Sequence, residues 1–106
     1  MARLPYRAVI VDLDRTLLRT DKSISRYTEQ VLREWETAGA GIYVATARPE
    51  QAIYFGDDND DIEPIRMCGR GVAVSNALAH IRQAADDIAD SNDNDGVAKY
   101  LAGLMG

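Results

Sequence analysis

The chain of 106 residues has a single cysteine, Cys68, and so can form no internal disulfide. Without a second cysteine a metal-thiolate site is disfavoured as well, and Cys68 is expected to serve packing alone. No apolar run approaches the roughly 20 residues that a membrane-spanning helix needs, which argues against a membrane protein. The opening MARLPYRAVIVDLD lacks a small-residue cleavage site and runs from apolar residues straight into carboxylates, so no secretory signal is expected and the cytoplasm is the expected compartment. Basic residues are also in short supply. Twelve Lys and Arg stand against 17 Asp and Glu, a net charge of -5, which disfavours a broad surface for the phosphates of nucleic acid. Repeats, low-complexity tracts and linkers are missing too, and residues 1–106 read as one domain, long enough to bury a core without a disulfide or a structural metal.

Apolar residues make up 46% of the chain, and they fall into short β-branched runs with little alternation. RAVIV (7–11), GIYVAT (41–46), AIYFGDD (52–58) and GVAVS (71–75) read as strands covered on both faces, the pattern of a parallel sheet. DDIAD (86–90) reads as a short edge strand. Ser25 is placed to cap a helix reaching about Ala38, with Tyr27, Val31 and Trp35 on its inner face and Gly39 as its left-handed stop. A turn or short helix is expected near Asp61 to Cys68, a helix over 76–85 and a last one from about Gly96 to Leu104. Strand, helix, strand implies an α/β fold, a Rossmann-like parallel sheet flanked by helices.

In such sheets ligands bind beyond the carboxyl ends of the strands. Asp12 and Asp14 leave the end of the first strand, Thr46 and Arg48 the end of the second, and Asp57 to Asp61 the end of the third. The three groups should meet at one edge. Carboxylates that close need a cation or shared protons, and an all-oxygen set suits a hard cation such as Mg²⁺, which would in turn draw in a phosphate. Other polar features read more plainly. The acidic DSNDNDG near the C-terminus lacks the bidentate glutamate of a calcium loop, because Ala102 falls at that position when Ser91, Asp93, Asp95 and Gly96 supply the early ones; it is read as a solvated turn. His80 is expected at the surface and Trp35 in the core.

The segment DLDRTLL resembles the first motif of the haloacid dehalogenase (HAD) superfamily, D-x-D-x-T; VATAR resembles its second motif and GDDNDD its fourth, G-D-x-x-x-D. The tail GVAVSNALAHIRQAADDIADSNDNDGVAKYL is similar over its whole length to the closing segment of Cof-like sugar phosphatases of that superfamily. The resemblance implies a phosphomonoester hydrolase. Asp12 would attack phosphorus to give an aspartyl phosphate, and Asp14 would protonate the leaving group and then activate water. Thr46, with Ala47, Arg48 and Asp60, would bind the phosphoryl group. Asp12, the backbone carbonyl of Asp14, and Asp57 would bind Mg²⁺, with Asp61 in support. The implied substrate is a small phosphorylated metabolite such as a sugar phosphate.

Several positions depart from the family pattern. Arg15 stands where glycine is usual, and Asp60 where asparagine is usual. The family lysine between the second and fourth motifs is missing, the only lysines being Lys22 and Lys99. Cof-like members also carry a cap domain in this interval, whereas here only ARPEQA separates Thr46 from Ile53, so the core is reduced and capless between about 48 and 53. Six linking residues span at most about 20 Å, and the return of a strand length of roughly 17 Å with a sideways step of roughly 10 Å past the first strand makes the connection barely possible within one chain. A domain-swapped homodimer, an altered sheet and an internal deletion in a longer protein all answer that constraint. The alternative to an enzyme is a degenerate core that binds Mg²⁺ or phosphate, or only assembles, without turnover.

Overall fold

The computed structural model describes residues 5–43 and 52–105. Its centre is a five-stranded parallel sheet in the order β2-β1-β3-β4-β5, built from β1 (Ala8–Val11), β2 (Gly41–Tyr43), β3 (Ala52–Gly56), β4 (Arg70–Val74) and the edge strand β5 (Asp87–Ala89). All five residues of β3 are buried, and Val9, Ile10 and Val11 of β1 with Val72, Ala73 and Val74 of β4 lie in the same core. Burial of successive residues, which point to opposite faces, means that both faces are covered, as the lack of alternation predicts.

Two helix pairs provide the cover: α1 (Arg26–Thr37) packs with α4 (Gly96–Leu104), and α2 (Ile62–Met67) with α3 (Ala79–Ala84). The start of α1 is capped as expected, Ser25 Oγ accepting the Thr28 N–H at 3.1 Å, and Gly39 follows with φ +107°. The inner face differs from expectation by one position. Thr28, Val31 and Trp35 are buried, while Tyr27 is 41% exposed. At 100° per residue, positions 28 and 35 lie within about 20° of one another around the helix axis, whereas 27 and 35 are about 80° apart. Trp35 is fully buried, donating its indole N–H to the Leu101 carbonyl of α4 at 3.2 Å, and Phe55 of β3 meets Tyr100 of α4 edge to face at 5.7 Å. His80 is exposed and Cys68 half-buried against the core.

The helix expected over 76–85 is confined to Ala79–Ala84. Ala77 N–H closes a turn onto the Val74 carbonyl and Leu78 is extended, giving its N–H to the Asp57 carbonyl at 3.1 Å. Residues 44–51, with Thr46, Ala47, Arg48 and most of the ARPEQA link, lie outside the described residues. The ends they join are nearer than the sequence suggests. Tyr43 pairs with Ile10 and Ala52 with Ala8, on opposite sides of β1. That is two residues along the strand and two strand spacings across, about 12 Å in a straight line. The nine peptide steps from Tyr43 to Ala52 reach about 30 Å, which leaves room to pass over β1. Chain length therefore does not force a swapped dimer.

Candidate active site

Asp12 donates its backbone N–H to the Phe55 carbonyl at 3.2 Å, extending the β1–β3 ladder by one residue. Asp12 and Asp57 therefore leave neighbouring strands side by side at the carboxyl edge of the sheet. Asp61 joins them from the single turn Asn59–Asp61. Its return depends on Gly56, where a Cβ atom would lie 2.5 Å from the Asp61 Cβ. One Asp61 oxygen, Oδ2, accepts the N–H groups of Asp57 at 2.9 Å and Asp58 at 3.1 Å, while Oδ1 accepts the buried Tyr54 hydroxyl. Asp57 Oδ1 in turn accepts the Thr16 hydroxyl at 2.8 Å, and Thr16 is buried. Asp57 is thus held at its N–H, its carbonyl and its side chain, by Asp61, Leu78 and Thr16.

Oxygens of Asp12, Asp57 and Asp61 lie within 4.8 Å of one another, and Asp57 and Asp61 are buried. Burial, the charge of Asp61, and the hydrogen bond and charge of Asp57 push the Asp12 carboxyl up from 3.8 to about 7. Such a cluster is stable with shared protons or with a cation. Its all-oxygen donor set can hold a metal ion of the hard class.

The other predicted positions are distributed differently. The Asp14 side chain stands at the surface, 3.6 Å from Lys22 Nζ, outside the carboxylate group. Asp60 is exposed on the turn below Asp61 and is not among the three clustered carboxylates. Between Asp12 and Leu18 the chain makes a wide turn, with Leu17 N–H on the Asp12 carbonyl and Leu18 N–H on that of Leu13. Arg15 sits in this turn at φ 63°. Two supporting residues had no role in the sequence reading. Thr16 is the threonine of D-x-D-x-T, and Tyr54 is the one residue of AIYFG with a polar tip, which in a fully buried strand requires a partner.

The DSNDNDG segment is a turn with Asp90, Asp93 and Asn94 exposed, and it is also tied to the loop after β1. Asn92 is buried and donates its side-chain amide to the Leu18 carbonyl at 3.0 Å. Asp93 accepts the Thr20 N–H and hydroxyl, each at 2.8 Å, and Asp95 binds Arg19 through two hydrogen bonds of 3.1 and 3.2 Å. The segment clamps the loop that follows the wide turn. A cavity of about 420 Å³ opens between the two, lined by Asp14, Arg15, Lys22, Asn76 and the turn from Ser91 to Asp93.

With this geometry in hand, comparison with known proteins is specific. A sequence model of haloacid dehalogenase-like hydrolases matches residues 9–54 and 49–101. The chain is 38% identical over 52 residues to 5-amino-6-(5-phospho-D-ribitylamino)uracil phosphatase YitU of Bacillus subtilis, covering 49% of this chain and 19% of the relative. It thus spans only about a fifth of that protein's length. Among solved structures, a HAD superfamily (subfamily III A) hydrolase from Legionella pneumophila aligns over 97% of this chain and 83% of its own, with a TM-score of 0.72 and 19% identity. The 3-deoxy-D-manno-octulosonate 8-phosphate phosphatase of Moraxella catarrhalis, solved in complex with magnesium ion, phosphate ion and a KDO molecule, aligns over 97% of this chain and 87% of its own, with a TM-score of 0.78 at 13% identity. These two likenesses are of fold. The two-part family match, which spans nearly every element of the sheet and its helices, shows that the chain belongs to the haloacid dehalogenase-like hydrolases, in their Cof-like branch.

Proposed function

We propose that the chain is a Mg²⁺-dependent phosphomonoester hydrolase working through an aspartyl phosphate on Asp12. The observation that carries the reading is the convergence of Asp12, Asp57 and Asp61 at the carboxyl edge of a parallel sheet. Asp12 and Asp57, with the Asp14 carbonyl, would hold Mg²⁺, and Asp61 would orient Asp57. When bound, the ion supplies the positive charge that lets an anionic carboxylate approach an anionic phosphate. An Asp12 oxygen attacks phosphorus, the bond to the leaving oxygen breaks, and Asp14 gives its proton to that oxygen. Water then attacks the same phosphorus, Asp14 takes its proton, and the bond to Asp12 breaks to release phosphate. Thr46, Ala47 and Arg48 are assigned to the phosphoryl oxygens from the family motif, and Asp60 to the edge of that site. The substrate class is a small phosphorylated metabolite, handled by a core without a cap between about 48 and 53.

The test is phosphate release from p-nitrophenyl phosphate with and without Mg²⁺. Asp12→Asn should lower the rate at least about a hundredfold, since the neutral amide is a poor nucleophile. A rate within tenfold of the unaltered protein removes Asp12 as nucleophile. A second reading, a core that binds Mg²⁺ without turnover, is favoured by the positions of the two lysines. Lys22 lies against Asp14 and Lys99 against Asp90, so neither takes the family position beside the nucleophile. Mg²⁺ binding without phosphate release from any ester would establish it.

A further inference from the structure

We propose that the cavity beside Asp14 receives the leaving group of the phosphoester and selects one bearing a second anionic group, a carboxylate or a phosphate, bound by Arg15. The proposal rests on the phosphatase reading and takes from it one requirement. An acid that protonates the leaving oxygen must come within about 3 Å of it, so the leaving group occupies space that Asp14 lines. Asp14 lines the cavity of about 420 Å³ between its own loop and the turn from Ser91 to Asp93.

Every residue lining this cavity is polar, and pairing among these residues and with the adjoining Asp95 leaves one cation over. Arg19 is taken by Asp95, Asp93 by Thr20, and Lys22 faces Asp14. Asn76 accepts the Asn92 N–H at 3.0 Å and donates to the Arg15 carbonyl at 2.9 Å. The Arg15 guanidinium has no hydrogen bond or ion pair among the described residues. The backbone gives a second reason. Among the described residues, Arg15 (φ 63°) and Lys22 (φ 68°) are two of the three non-glycine residues in the left-handed region, and both line the cavity. Side chains kept in such conformations are held by their surroundings and cluster at ligand sites; here the Asn76 amide holds the Arg15 carbonyl. A guanidinium pairs two of its N–H groups with two oxygens of a carboxylate or phosphate. The hydroxyl and amide groups of Thr20, Asn76 and Asn92 are already engaged with the protein, which leaves the neutral Ser91 hydroxyl and the Arg15 guanidinium, and of these the charge-assisted pair of an anion with Arg15 is the stronger contact.

The test compares 3-phosphoglycerate with glycerol 3-phosphate, which differ by a carboxylate in place of a hydroxymethyl group. In Mg²⁺ buffer kcat/KM should favour 3-phosphoglycerate at least about tenfold, the size of one charge-assisted pair. Arg15→Asn, whose side chain tolerates the left-handed backbone, should bring the ratio to about one, and Arg15→Lys should keep part of it. Calorimetric titration of both esters reads the cavity apart from turnover. If no ester is hydrolysed but 3-phosphoglycerate binds more tightly and does so through Arg15, the phosphatase reading falls and the anion site stands. Equal kcat/KM and equal affinity for the two esters, or a preference that survives in Arg15→Asn, overturns the proposal.

Discussion

Arg15 occupies a backbone conformation that an L side chain adopts at a cost of about 1–2 kcal/mol, with φ at 63°. Glycine, usual at this position in the family, has no such cost but loses more freedom on folding. Arg15→Gly should therefore stabilise the chain by about 0.5–1 kcal/mol, read as a higher urea midpoint with an unchanged slope. Tyr54 makes the opposite case, a residue whose removal leaves a neighbour unsatisfied. Burial and the Asp61 carboxylate push its phenol well above the usual tyrosine range, so it remains a donor to Asp61 at any working pH. Tyr54→Phe leaves Asp61 Oδ1 buried without that donor, a loss of about 1–3 kcal/mol. Urea denaturation measures it, and a double-mutant cycle with Asp61→Asn should assign most of the loss to the pair.

At the scale of elements, the site depends on contacts between the two ends of the chain. The loop after β1 carries Asp12, Asp14 and Thr16 to the sheet edge, and the turn between β5 and α4 holds that loop through Asn92, Asp93 and Asp95. Asn92→Ala removes a buried amide that satisfies the half-buried Leu18 carbonyl, at a cost of about 1 kcal/mol, the low end for an orphaned acceptor. The expected result is a lower urea midpoint together with faster amide hydrogen exchange over 18–23, while the amides of α1 keep their relative protection. Uniform loss of protection throughout the chain would show that the turn serves global stability and not this loop.

At the scale of the molecule, the carboxylate cluster should make stability depend on pH and on divalent metal together. Asp12 titrates near 3.8 when unfolded and at about 7 when folded, because burial comes first and the Asp61 and Asp57 charges follow. Between those values the folded state binds the extra proton, so stability falls as pH rises from about 4 to about 7 and levels off above. The loss is on the order of 2 kcal/mol once solvent screening of a half-buried group is allowed for. On the proposed function, Mg²⁺ would bind the ionised cluster, and should then flatten this profile and raise the midpoint most at pH 7 and above. Thermal unfolding from pH 4 to 8 in chelator and in Mg²⁺ measures both effects, and coincident profiles would remove the cluster as a metal site. Among the described residues no helix is long and apolar enough to cross a membrane, in keeping with the composition.

The sequence by itself determined the elements and the edge at which they act. Runs such as AVIV and AIYFG lack alternation, so they had to be covered on both faces, and acids placed just after them had to emerge at the carboxyl end of a parallel sheet. The cap at Ser25 and the stop at Gly39 were legible for the same reason, since each depends only on neighbours in the chain. The meeting of Asp12 with Asp57 and Asp61 was legible too, through motif order. Only the tertiary structure decided how that group is held and what surrounds it. Thr16 reaches Asp57 across 41 residues and Arg19 reaches Asp95 across 76, and strand order, which no local period encodes, sets those partners. The same dependence makes the exposed turn DSNDNDG a clamp as well. It also moved the Asp14 side chain out of the carboxylate group, into the wall of a cavity formed only when the two ends of the chain come together.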